Sequence, residues 1–139
     1  MASEGLPASL TQPPHETPPA TAGFRVVDVT ADVEEAVRES GVTEGLACVY
    51  SPETSCVVRV NELESGLLED FARLLEHLAR DAPPDRRGAL LAMLVGPAGE
   101  LVPVVDGHLA LGQWQRVLLI ALGDGPAPRW LVRVVGVSP

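Results

Sequence analysis

Oxygen donors dominate the chemistry open to this chain: a loop carboxylate at Glu53, a carboxamide beside a carboxylate at Asn61 and Glu62, and a further acid at Asp70. Carboxylates and carbonyls can hold Mg²⁺, and a phosphate could ride on the metal. Glu53 by itself could bind a cation or take a proton, although a lone loop carboxylate is ordinarily just solvated. Asn61 and Glu62 end a strand-like run. Either they present polar groups at the end of a sheet, where ligands commonly bind, or Asn61 stops the strand and Glu62 faces water. Trp114 with Gln115 reads as the wall and amide donor of a pocket or, preferred slightly, as an aromatic anchor at a subunit contact. His15, His77 and His108 lie far apart in the sequence, and none has the surroundings of a metal ligand. A nucleophile elbow, a P-loop, a dinucleotide fingerprint and paired-cysteine metal spacing are all missing.

The elements that would position these groups are strands with helices between them. FRVVDVT, from Phe24, has the β-branched content of a strand. Thr30 can cap a short helix with Val33, Ala36 and Val37 on one face, ended by Gly41. Gly45 to Ser51 and Cys56 to Glu62 read as strands joined most simply as a hairpin through Pro52 to Ser55. The clearest helix spans Gly66 to Arg80, capped by Ser65. Leu67, Phe71, Leu74, Leu75 and Leu78 form its inner face, and Glu69/Arg73 and Glu76/Arg80 pair outside. Pro83-Pro84 stops it, and a shorter helix follows over Arg86 to Val95.

The last third predicts strands at Leu101 to Val105, His108 to Leu111, Arg116 to Leu122 and Trp130 to Val137, with a hairpin turn at Asp106-Gly107. The VLLIAL run is apolar on both faces, as suits a central strand. Strands before, between and after helices predict an α+β domain. Residues 1–22 are rich in Pro, Thr, Ser and Ala and predict a disordered tail ahead of a domain over 23–139.

The 139 residues, 46% of them hydrophobic, supply one core. No apolar run approaches the ~20 residues of a membrane span. The net charge is −9, and the ten cations are scattered arginines, which argues against nucleic acid and anionic membranes as partners. Cys48 and Cys56 are expected as buried thiols in a reducing cytoplasm, with a disulfide open to them if their strands pair.

Several motifs, in order, resemble the YjbQ family, a group of small proteins connected with secondary thiamine-phosphate synthesis. They are Asp28-Val29-Thr30, Ser40-Gly41-Val42, Gly45, Pro52-Glu53-Thr54-Ser55-Cys56, Asn61-Glu62, Gly96, Pro103-Val104, Asp106-Gly107, Leu111-Gly112-Gln113-Trp114-Gln115 and Asp124-Gly125-Pro126 with Arg129. The resemblance implies a mixed or antiparallel two-layer β arrangement with two main helices packed outside, and a homotrimer. It also implies a site in which Glu53, Asn61, Glu62 and Asp70 are the catalytic candidates. Thr54, Trp114, Gln115 and Arg129 are then candidates for a ligand or an interface.

The departures bear on function. The family's loop histidine is replaced by Glu53, its Ala-His pair by residues near Gly88 and Ala89, and its inter-helix segment has shrunk to Ala82 to Arg87. Loss of imidazoles removes metal binding or proton transfer while leaving the scaffold intact. The expectation is a diverged binding or structural module for an unknown small ligand. The alternative is residual synthase-like or metal-assisted phosphate-ester chemistry, with Mg²⁺ the one cofactor the carboxylates could recruit.

Overall fold

The structure is a computed structural model that describes residues 24–139 and the backbone of 15–17. The rest of the segment expected to form a tail, 1–14 and 18–22, lies outside the described residues, as does Gly23. In chain order the elements are β1 (His15–Thr17), β2 (Arg25–Asp28), α1 (Thr30–Ser40), β3 (Glu44–Tyr50), β4 (Cys56–Glu62), α2 (Ser65–Leu78), α3 (Arg87–Val95), β5 (Gly99–Val105), β6 (His108–Leu109), β7 (Gln115–Ala121) and β8 (Leu131–Val137). No described helix is long and apolar enough to cross a membrane.

The strands form two antiparallel four-stranded sheets, an inner one ordered β1-β2-β7-β4 and an outer one ordered β6-β5-β3-β8. Alternation turns Val27 of β2, Val58 of β4, Val117 and Leu119 of β7, and Ala47 and Val49 of β3 into the space between the sheets. Val33, Ala36 and Val37 of α1 pack into the same core. The opposite face of the inner sheet, with Val26, Val57, Leu118 and Ile120, is covered by Leu68, Ala72 and Leu75 of α2 and Leu91 of α3. β7 is thus buried on both faces, as its unbroken apolar run requires. This is the expected α+β class, two β layers with the two main helices outside.

Several local expectations are corrected. Thr30 is the first residue of α1 and not its cap, which is Val29 without a side-chain cap bond. β3 and β4 do not form a hairpin: β3 pairs with β5 and β8, whereas β4 pairs with β7 in the other sheet. The short connection crosses between layers, turned outward where the Ser51 hydroxyl donates to the Arg129 carbonyl at 2.7 Å. The cap of α2 is Glu64 rather than Ser65, its carboxylate accepting from the Gly66 and Leu67 amides. Outside that helix Arg73 pairs with Asp70 and Arg80 meets His77, each three residues apart instead of four. Cys48 is only half-buried, on the outer sheet's outward face, and both thiols are free.

At the β5–β6 turn the prediction is met, with Asp106 and Gly107 at φ 51° and 79°, the two positive angles a tight hairpin demands.

Candidate functional site

Seven of the eight sequence-selected residues divide between the two ends of β4, and Asp70 stands apart on α2. Glu53 and Thr54 precede the strand, and Asn61 and Glu62 close it. With a rise of about 3.3 Å per residue, the seven-residue strand separates the two groups by roughly 20 Å within one chain. They do not converge.

At the first end, Glu53 faces Arg129, which the chain places immediately before β8. Arg129 Nη2 donates to Glu53 Oε1 at 3.2 Å, Nε donates to Oε2 at 3.4 Å, and the Arg129 amide donates to Oε2 at 3.4 Å. The Arg129 side-chain hydrogen bond, followed by its backbone bond, holds the Glu53 carboxyl below the usual carboxylate range, and the same pairing raises the guanidinium. A general base working near neutrality needs the opposite shift. Thr54 is exposed and lines two shallow clefts together with Glu53 and Cys56. Burial pushes the Cys56 thiol up, away from the reactive thiolate form.

At the second end, register places Asn61 opposite Arg116 and Glu62 opposite Gln115, so Trp114 and Gln115 do lie beside the Asn-Glu pair. Asn61 Oδ1 is occupied by the Glu62 amide at 2.7 Å, and Gln115 Oε1 by the Gly112 amide at 2.8 Å. Trp114 is 66% exposed and is not buried within one chain. Asp70 points outward from α2 and pairs with Arg73, joining neither group. Among the described residues no three His, Cys, Asp or Glu side chains converge in a set that could hold a metal ion.

Two features escaped the sequence reading. One is a buried network: Asp28 accepts from the Thr30 amide at 2.9 Å and the Thr30 hydroxyl at 2.6 Å through Oδ1, and from Arg116 Nε at 2.7 Å through Oδ2. The Thr30 hydroxyl in turn accepts from the Val117 amide at 2.8 Å. This explains Asp28-Val29-Thr30 physically: the triplet starts α1 and ties it to β7. The other is a cleft of ≈ 170 Å³ between α2, α3 and the inner sheet, lined by Arg59, Asn61, Glu62, Leu67, Phe71, Val95 and their neighbours. The period-two pattern of β4 was the available signal, since it sets Arg59 and Asn61 on the face that Val57 shares with the helices.

Comparison with known proteins agrees with this architecture. The family model described as "UPF0047 protein YjbQ-like" matches residues 17–137. A UPF0047 protein of Archaeoglobus fulgidus is 37% identical over 115 residues, covering 77% of this chain and 87% of that protein. The UPF0047 protein YugU of Bacillus subtilis is 31% identical over 112 residues, covering 75% and 83%. Among solved structures, a YbjQ-like protein of unknown function from Sulfolobus solfataricus superposes with TM-score 0.75 at 25% identity, covering 88% of this chain and 94% of that one. A hypothetical protein from Aeropyrum pernix gives 0.71 at 32%, covering 90% and 96%.

Proposed function

Because the chain belongs to the YjbQ-like UPF0047 family, we propose that it is a diverged member without the family's catalysis, acting as a trimeric binding or structural module. The observation that carries this reading is the Glu53–Arg129 clasp. The carboxylate standing where the family's loop histidine is expected already has a cationic partner on both oxygens, which lowers its basicity and occupies its lone pairs. Among the described residues no histidine lines the clefts at Glu53, which supports the same reading, as does the separation of Glu53 from Asn61, Glu62 and Asp70 within one chain.

Trimerisation is supported by the outward face of the outer sheet. Leu46, Tyr50, Leu101, Val105, Val135 and Val137 are all exposed there, with Leu46 opposite Val135 and Cys48 opposite Leu101 across the strands. An antiparallel sheet facing water is ordinarily polar on that side, and a face this rich in apolar side chains, with Glu44 and Arg133 as charged members, calls for a partner of like surface. The free thiols suit the reducing cytoplasm proposed for it.

The test is direct. Purified protein supplied with the pyrimidine and thiazole precursors should form no thiamine phosphate, and light scattering at micromolar concentration should give three times the chain mass of 14.6 kDa. Turnover matching that of a histidine-bearing relative, or a monomer mass, would remove the corresponding half of the proposal.

A further inference from the structure

The cleft at the second end of β4 has the chemistry of a binding site. Its floor and walls are apolar: Leu118 and Ile120 from β7, Leu67 and Phe71 from α2, Val95 from α3. Arg59 stands among them, opposite Leu118 in the β4–β7 register, at a position where alternation otherwise puts core residues. Arg59 is half-buried and its side chain makes no hydrogen bond or ion pair with any described residue, whereas the side chains of Arg38, Arg73, Arg116 and Arg129 each hold a carboxylate. A guanidinium set into apolar surface without a counter-ion is a standing demand for an anion, and its planar fork matches a carboxylate.

A second observation shows that the neighbourhood is fitted to this side chain. Gly96, which ends α3, lies so close to Arg59 that a Cβ there would come 2.9 Å from Cδ and 3.1 Å from Nη1. Its φ of 167° is extended backbone that any residue adopts, so a side chain there is opposed by the arginine's proximity and not by the turn, and would push the guanidinium aside.

We propose that this cleft binds a small carboxylic acid with an apolar body, the carboxylate on Arg59 and the body between Phe71 of α2 and Val95 of α3. Glu62 on the rim selects for a single negative charge, because a dianion such as phosphate would meet its repulsion. The volume lies below the ~300–1,000 Å³ of drug-sized ligand sites, which limits the occupant to about a dozen heavy atoms. This assigns a ligand class to the binding-module reading and rests on it. The precursor assay probes catalysis and is silent about carboxylates, so either can fail without the other.

The experiment uses full-length protein and 3-phenylpropanoate, with 3-phenylpropanol as the uncharged control, read by ¹H–¹⁵N NMR shifts. The acid should bind at least about tenfold more tightly than the alcohol, the scale of one charge-assisted pair. Its shifts should centre on Arg59, Phe71 and Val95, and phosphate should not compete. Arg59→Met should abolish the preference for the acid, and Gly96→Ala, which leaves the charge in place but crowds the guanidinium, should weaken it. Unchanged melting temperatures would show that both variants fold. Equal binding of acid and alcohol, no binding of either, displacement by phosphate, or a preference that survives Arg59→Met would each overturn the proposal.

Discussion

The two ends of β4 carry the same chemical ingredients, an arginine and glutamates, in opposite arrangements. Before the strand, Glu53 and Arg129 neutralise one another across 76 residues of chain and tie two loops together. Toward its far end, Glu62 and Arg59 share a cleft without pairing, and the guanidinium is left over apolar surface. A satisfied ion pair is structural; an unsatisfied guanidinium beside a cavity is poised for a ligand. Residue types alone do not separate these cases, and the reach of the neighbouring elements does.

The comparison is most severely tested at the Asp28 network, which anchors β7 opposite Asn61. Asp28→Ala removes a buried carboxylate with three donors and leaves Arg116 and the Thr30 hydroxyl without their acceptor. Urea unfolding should show a loss of about 2–4 kcal/mol. A loss below that of an ordinary surface substitution would mean the second end does not depend on this support.

A smaller effect is expected at the first end, because the Glu53–Arg129 pair is well exposed and screened by water and salt. Glu53→Gln should destabilise slightly, and less at high salt. The Glu53 carboxyl is depressed in the folded chain, so its contribution is fully present above the ordinary glutamate value of about 4.3. It is lost as pH falls from there through the folded value. The stability difference between wild type and Glu53→Gln should therefore shrink on acidification. A difference independent of pH would show that the clasp is not ionic.

The smallest effect belongs to the N-terminal segment. Removing 1–22 deletes the three-residue edge strand β1 and leaves the rest of the inner sheet paired, so the melting temperature should stay within a few degrees. A large drop would show that this segment contributes to the core.

Local chemistry was legible in the sequence where neighbours decide it. The Asp106-Gly107 turn, the doubly buried β7 and the inner face of α1 all follow from residues within one turn or strand. The β3–β4 connection was not legible, because a four-residue loop suits a hairpin as well as a crossing between sheets, and the distant partners β5, β7 and β8 decide between them. On α2 the leucine spacing was visible, but Leu67, Leu74 and Leu78 are exposed, and Leu68, Ala72 and Leu75 face the sheet. The pattern is nearly symmetric about those two stripes, and the contact with β7 selects one. Glu53 and Arg129 were each identifiable as site candidates, but nothing in a linear reading joins them. The resemblance to the YjbQ family singled out both, and the geometry makes them an ion pair.

On the proposed reading, Glu53 is spent as a clasp and is not poised as a base. Its carboxyl titration, followed by ¹³C NMR at Cδ, separates the two states, since a base working near neutrality needs a raised value and a clasp a lowered one. Wild type should titrate below the ordinary glutamate value, and Arg129→Ala should return it toward that value. A Glu53 carboxyl titrating above the ordinary value in the wild-type protein would contradict the account.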